Sequence, residues 1–172
     1  MTHKMGFIGL AVAAAVALGA HTLATGEDQA FVTRIAGAGM GEIELGQLAQ
    51  EKASDASVKA FGKRMVEEHS KAGDALKVIA DRKGLSWPTT PPPAAAALKD
   101  RLSKLNGSAF DRAYTDAMVA GHREAVAAVR TESQTGADPD VKAWAVQTLP
   151  TIEAHLTHAQ NVQRDVNKTA TH

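Results

Sequence analysis

Apolar residues recur every three or four positions along most of this 172-residue chain, which is the spacing of amphipathic α-helices. The pattern predicts four long helices, over residues 28–53, 56–83, 108–135 and 139–167, and a short helix over residues 94–105. No segment shows the alternation of apolar and polar residues that is typical of a half-buried strand. The sequence therefore predicts an all-α fold.

Residues at the ends of the predicted helices support these boundaries. Gly84 directly follows the second helix, where a left-handed residue commonly ends a helix. Asp138 precedes Pro139, which is the order of an N-cap and a proline at the first helical position. Ser108 and Asp111 have the spacing of a capping box, so we expect Asp111 to cap the helix in which it lies.

The segment between the second and third long helices is rich in proline. Residues 87–93 read Trp-Pro-Thr-Thr-Pro-Pro-Pro, and consecutive prolines favour an extended conformation over a helix. We interpret the segment as a rigid strap that carries the chain across the bundle, with a proline-rich ligand for a partner domain as the alternative. The order of elements predicts a ferritin-like four-helix bundle with one long crossover, made of the strap and the short helix.

The N-terminus has the pattern of an export signal. Lys4 precedes an uncharged apolar run over residues 6–20, which is shorter than the roughly 20 residues of a spanning helix. Residues 1–24 are therefore predicted to be a signal peptide, cleaved after Ala24, with an uncleaved anchor as the alternative. This leaves a bundle domain over residues 25–167, a frayed tail over residues 168–172, no membrane span and a periplasmic location.

Composition argues against nucleic-acid binding and excludes cysteine-dependent chemistry. The chain has 19 Lys and Arg residues against 19 Asp and Glu residues, whereas a nucleic-acid partner requires a basic face. It has 0 Cys, which excludes disulfides, thiolate metal ligands and cysteine nucleophiles. No nucleophile motif of a hydrolase occurs. The sequence identifies no catalytic residue and no protein partner.

Four polar residues lie on the apolar stripes of four different helices: Glu42, His69, His122 and His155. A carboxylate on such a stripe is costly unless it is paired or bound to a metal. Counting residues from the two tight turns, at about 1.5 Å per residue, brings the two members of each helical hairpin within about 4.5 Å in height. No such count relates the two hairpins, because the strap hides their register.

Two interpretations of these four residues follow. In the first, they hold one transition-metal ion, with Zn, Fe, Mn and Cu all compatible with imidazole and carboxylate ligands. In the second, they form a buried hydrogen-bond network that sets the register of the helices. A di-iron centre is disfavoured, because that chemistry uses Glu-x-x-His pairs and the chain contains none. His158 is interpreted as exposed, with a spare metal ligand as the alternative. The Glu67–Glu68 pair beside His69 is interpreted as a solvated edge, with an acid/base pair as the alternative.

Several stretches of the chain resemble an exported bacterial family of domains of unknown function, DUF4142. They are residues 40–49, residues 58–61 and 64–66 with His69, residues 110–114 with His122, and residues 148–150 with residues 153–156. The resemblance implies a ferritin-like fold and export, and the recurring motif residues of the family fall on Glu42, His69, His122 and His155. It implies no activity.

Two functional hypotheses remain at this stage. One is an exported bundle that binds a metal in its core and acts in metal handling or oxidative-stress protection. The other is a non-catalytic structural or interaction domain of the bacterial envelope. Chemistry on a small molecule would require an open coordination position at the metal.

Overall fold

The computed structural model describes residues 26–169, which form five helices and no strand. The all-α prediction is thus confirmed for this part of the chain, and no predicted helix boundary differs by more than two residues. The predicted signal peptide lies outside the described residues. Within them, no helix is long and apolar enough to cross a membrane. The helices are α1 (Gly26–Lys52), α2 (Ala56–Lys83), α3 (Pro93–Ser103), α4 (Gly107–Thr135) and α5 (Pro139–Thr169).

The directions of the four long helices follow from contacts at their ends. Asp111, near the start of α4, bonds the turn between α1 and α2 at Ser54. At the opposite end, Asp28 of α1 accepts a hydrogen bond from the backbone of Asp138, and Lys83 at the end of α2 forms an ion pair with Asp138. Helices α1 and α5 therefore run one way and α2 and α4 the other. Each contacts two others, in the cyclic order α1, α2, α5, α4.

Residues 84–106 carry the chain from the end of α2 back to the start of α4. They run alongside α1, from the Gln29 side chain, which hydrogen-bonds the backbone of Ser86, to Lys52, which bonds Asn106. Helix α3 forms part of this connection and contacts α1 and α4. The connection therefore spans the length of the bundle, because α2 and α4 run in the same direction.

Glycines allow α1 to approach its neighbours closely. A Cβ atom on Gly46 would lie 2.6 Å from the carbonyl oxygen of Gly62 in α2, and one on Gly41 would lie 2.8 Å from the Cβ of Ala95 in α3. Both distances are shorter than a van der Waals contact. These positions set the spacing of α1 from α2 and from the crossover.

Two of the three predicted helix-end signals are found as expected. Gly84 ends α2 with a φ of 68°, the left-handed conformation that glycine adopts without strain. The side chain of Asp138 accepts hydrogen bonds from the backbone N–H groups of Asp140 and Val141, as an N-cap does.

The predicted capping role of Asp111 is wrong. Helix α4 begins at Gly107 and has no side-chain cap. The carboxylate of Asp111 instead accepts hydrogen bonds from the backbone N–H groups of Ser54 and Asp55 and from the Ser54 hydroxyl. Asp111 thus satisfies donors of the turn between α1 and α2, a tertiary contact that local spacing does not reveal.

The apolar core is divided into two clusters along the bundle axis. The upper cluster lies toward the turn between α1 and α2 and is centred on Phe61, Phe110 and Tyr114. The lower cluster lies toward the start of α5 and includes Phe31 and Trp144, whose rings meet edge to face. The four polar residues that interrupt this apolar core lie between the two clusters: Glu42, His69, His122 and His155.

Candidate metal centre

The structure brings together three histidine rings from three helices. His69 of α2, His122 of α4 and His155 of α5 have ring centroids 5.2 to 5.7 Å apart in every pairing. One nitrogen from each ring lies within 4.8 Å of the others. His122 and His155 are each 1% exposed. Among the described residues, no other set of three metal-ligating side chains comes this close.

Hydrogen bonds on the outer side of two rings set which nitrogen carries the proton. The Nδ1 atom of His122 lies 2.8 Å from the carbonyl oxygen of Met118. A carbonyl only accepts, so Nδ1 is protonated and Nε2 keeps its lone pair. The Nε2 atom of His155 lies 2.5 Å from a carboxylate oxygen of Glu68, which leaves the lone pair of His155 on Nδ1.

Each ring has one buried nitrogen without a partner within the protein. These atoms are Nε2 of His69, Nε2 of His122 and Nδ1 of His155. A buried polar atom without a partner is rare and costly in a folded protein. Three such atoms from neighbouring rings point to a ligand that binds all of them.

Glu42 lies beside this histidine triad but is not part of the tight cluster. Its Oε1 atom is 3.9 Å from Nδ1 of His122, and its Oε2 atom is buried without a partner. Burial raises the pKa of Glu42 to about 8. Burial, followed by the nearby Glu42 carboxylate, also raises the pKa of Tyr114, whose buried hydroxyl has no partner either.

The pKa values of the three histidines are lowered, which keeps the rings neutral and able to bind a cation. Burial, and then the charge that His122 and His155 would carry, lower the pKa of His69 to about 3. Burial lowers the pKa of His122 to about 4 against the opposing hydrogen bond to Met118. Burial also lowers the pKa of His155, although Glu68 opposes this. At neutral pH the rings are therefore uncharged and hold lone pairs.

The sequence of the chain places it in a family. The family model of a domain of unknown function, DUF4142, matches residues 13–162. The chain belongs to this family. No curated protein matches it significantly.

Two solved structures resemble the fold of this DUF4142 chain. One is a crystal structure of a DUF305 fragment from Deinococcus radiodurans, with a TM-score of 0.74 and 18% sequence identity over 84% of this chain and 99% of that one. The other is CopM in the Cu(I)-bound form, with a TM-score of 0.67 and 14% identity over 80% of this chain and 96% of that one. At these identities the similarity establishes the fold alone.

Glu68 is a residue of this candidate site that sequence reasoning missed. It was predicted to face solvent with Glu67, but it is 31% exposed and binds His155, whereas Glu67 is 56% exposed. Arg64 donates a hydrogen bond to Glu68 at 2.9 Å. Burial raises the pKa of Glu68, but the bonds from Arg64 and His155 outweigh it and lower the pKa overall, so the carboxylate stays ionised.

His158 is also closer to the site than predicted. It is half-buried, its ring meets that of Phe61 edge to face at 5.1 Å, and its Nδ1 accepts a hydrogen bond from Arg64 at 3.3 Å. The predicted exposure of His158 is therefore wrong, because the flank of α5 on which it lies packs against α2. In the sequence, the signal for this position was the spacing of one helical turn between His158 and His155.

Proposed function

We propose that this DUF4142 protein is an exported, ferritin-like helical-bundle protein that binds one transition-metal ion in its core. His69, His122 and His155 would supply three nitrogen ligands, and Glu42 would be the fourth group. Two observations carry the proposal: three histidine rings each offer a nitrogen within 4.8 Å of the others, and each ring has a buried nitrogen without a partner within the protein.

The geometry of the triad is compatible with a metal ion after a small adjustment. Metal–nitrogen bonds of about 2.0–2.1 Å in a tetrahedral site require nitrogens about 3.4 Å apart. One nitrogen of each ring lies within 4.8 Å of one nitrogen of each other ring, so each of these nitrogens would move by about 1 Å or less to reach that spacing, a rotation within reach of a histidine side chain. The hydrogen bonds to Met118 and Glu68 would orient two of the rings, as outer partners of metal-bound histidines commonly do.

The alternative of a purely hydrogen-bonded network is less well supported. Such a network would join the rings to one another or to Glu42, but the bonds that form, to Met118 and Glu68, lie on the outer nitrogens. Each buried acceptor left without a donor costs about 1–3 kcal/mol. A metal ion bound to the three lone pairs would offset this cost.

The donor set restricts the metal without choosing one. Imidazole ligands suit Zn, Fe, Mn and Cu to different degrees, and among divalent ions Cu²⁺ and Zn²⁺ bind such sites most tightly. The structural neighbour CopM is described in a Cu(I)-bound form. We therefore expect copper or zinc to bind best, in a role in metal handling or oxidative-stress protection. A periplasmic location follows from the predicted signal peptide over residues 1–24.

The ferritin-like assignment rests on the course of the chain. The paired directions of α1 with α5 and of α2 with α4, together with the single connection along the bundle, match the ferritin-like arrangement with one crossover. In that arrangement side chains from facing helices meet at the same depth of the bundle. This is where the triad lies.

A metal titration of untagged, chelator-treated protein tests the proposal. We expect one equivalent of Cu²⁺ or Zn²⁺ to bind, and less than about a tenth of an equivalent in His122→Ala or His155→Ala, because the ligands act together. His158→Ala is the matched control: it removes a half-buried histidine of α5 outside the triad and is expected to retain the metal. Circular dichroism shows whether each variant folds. Failure of the unaltered protein to bind any of the four candidate metals would refute the proposal.

A second pair of variants tests the orienting role of Glu68. Glu68→Ala removes the acceptor for the Nε2–H group of His155 and is expected to weaken metal binding about 10- to 100-fold. Glu68→Gln keeps an oxygen acceptor at the same position and is expected to lose less. Equal affinities of the two variants would contradict this role.

A further inference from the structure

A cavity of about 520 Å³ adjoins the histidine triad. It lies between the triad and the lower core cluster, and Trp144, Leu76 and Val129 of that cluster line its far end. His69, His122 and Glu42 line the other end, whereas His155 does not line it. The cavity therefore reaches the triad at His69 and His122 and not at His155.

The walls of the cavity are built largely from small and apolar residues. Its middle is lined by Ala38, Gly39, Gly73 and Ala125. Larger side chains at these positions would have filled the space. Exposed residues, among them Asp74, also line it, so the cavity reaches the surface. Its volume lies in the range of about 300–1,000 Å³ that is usual for small-molecule sites.

One polar atom at the inner end, Nε2 of His122, is an acceptor that lacks a donor. Nε2 of His122 carries a lone pair, because its Nδ1 donates to Met118, and it has no partner within the protein. Nε2 of His69 and Oε2 of Glu42 are also buried without partners. A ligand that satisfies Nε2 of His122 must therefore present a hydrogen-bond donor.

A charged ligand head does not suit the inner end. Of the basic side chains that line the cavity, Arg34 is exposed and Lys77 is paired with Asp81 at 2.7 Å, so neither is available to neutralise an anion beside the histidines. An organic cation would lose its hydration between apolar walls. A neutral hydroxyl donates a hydrogen bond without either cost.

We propose that this cavity binds a small, neutral, apolar molecule with a hydroxyl head, of the alkylphenol class, whose O–H donates to Nε2 of His122. The apolar body would fill the space between the small residues and the lower cluster. This inference concerns the same site as the proposed function and rests on its histidines, but it does not require the metal.

Binding of two matched probes to the metal-free protein tests the proposal. 4-Propylphenol and propylbenzene have nearly the same shape and differ by one hydroxyl. We expect the phenol to bind at least about tenfold more tightly by calorimetry or NMR titration, since a site that accepts a hydroxyl discriminates against an analogue without one. Equal affinities would overturn the role of the hydroxyl, and no binding of either probe would overturn the cavity as a ligand site.

Two substitutions at Gly73 test where the probe binds. A Cβ atom added at Gly73 meets no atom within 4 Å, so Gly73→Leu would occupy the cavity, whereas Gly73→Ala changes the backbone in the same way but leaves most of the volume free. We expect Gly73→Leu to weaken binding of 4-propylphenol at least about tenfold relative to Gly73→Ala. Equal affinities of the two variants would refute the assigned location.

Two further measurements distinguish this ligand site from the proposed metal centre. In the unaltered protein, NMR cross-peaks between the probe and the rings of His69 and His122 are expected, and their absence with a bound probe would refute the proposal even if Gly73→Leu does not fold. Metal titration of the same preparation reports on the proposed function independently. Probe binding without metal binding would overturn only the metal centre, and the reverse result would overturn only the ligand site.

Discussion

Replacement of Glu42 by glutamine is expected to change how the stability of the metal-free protein depends on pH. Burial raises the pKa of Glu42 from 4.5 to about 8. The folded protein therefore keeps this proton between these two pH values, whereas the unfolded chain releases it. The stabilising contribution of Glu42 is fully present below pH 4.5 and is lost as the pH rises through the folded pKa. Glutamine keeps the shape of the protonated side chain but does not titrate.

The size of the effect follows from the shift. Each pH unit between the two pKa values changes the free energy of unfolding by about 1.4 kcal/mol. At pH 7, about 2.5 units above the unfolded pKa, the loss amounts to about 3 kcal/mol. Glu42→Gln is thus expected to be more stable than the unaltered protein by up to about 3 kcal/mol at pH 7, and by less than about 1 kcal/mol at pH 5.

The histidines change the stability of the folded protein with pH in the opposite direction. The pKa values of His69 and His122 fall from 6.5 to about 3 and about 4. The unfolded chain therefore takes up protons below pH 6.5 that the folded protein does not, and stability is lost as the pH falls. We expect the unaltered protein to be most stable near pH 6.5 and Glu42→Gln to lose the decline on the alkaline side.

Urea unfolding followed by circular dichroism between pH 5 and pH 8.5, with a chelator present, measures this difference. Glu51→Gln is the control, because Glu51 is an exposed carboxylate on the same helix, and it should follow the unaltered protein throughout. Parallel stability curves for Glu42→Gln and the unaltered protein above pH 6 would refute the account of Glu42.

Three further predictions concern the packing of α1, the turn that precedes α2, and metal binding. Gly46→Ala places a Cβ atom 2.6 Å from a backbone carbonyl of α2 and is expected to lower the free energy of unfolding by about 1–3 kcal/mol. Gly73→Ala, whose Cβ meets no atom within 4 Å, is expected to raise it by about 0.5–1 kcal/mol. Thermal unfolding that shows the same sign for both variants would contradict the packing argument. Asp111→Ala removes the acceptor for the turn between α1 and α2 and is expected to cost about 1–3 kcal/mol in urea unfolding, against less than about 0.5 kcal/mol for the exposed Asp116→Ala. Metal binding that recruits Glu42 at pH 7 should release about one proton per ion, measured by calorimetry in buffers of different ionisation enthalpy, and no such release is expected in Glu42→Gln.

The histidine triad could be anticipated from sequence only in part. His69, His122 and His155 were identified because each interrupts an apolar stripe, and a stripe position necessarily points into the bundle. The rise per residue relates residues within one hairpin, because a tight turn leaves little freedom. The rise per residue gives no relative height for residues on either side of residues 84–106. Whether His69 meets His122 therefore depends on the path of the crossover.

Glu68 and the cavity depended on contacts that no local pattern contains. Glu68 is turned about 100° from its neighbour His69 around α2, and whether that direction meets solvent or α5 depends on how the two helices pack. The cavity exists because small residues on different helices, such as Gly39, Gly73 and Ala125, fall at the same depth. Each is unremarkable within its own helix.

The sequence by itself determined the helices, most of their end signals and the polar residues that face inward, because helical periodicity, caps and glycine stops act over a few neighbouring positions. Only the tertiary structure decided which nitrogen of His122 and His155 stays free, that Asp111 serves a distant turn, and that an open space adjoins the triad. These features depend on the distances between helices that are far apart in the chain, and those distances result from packing the whole bundle at once.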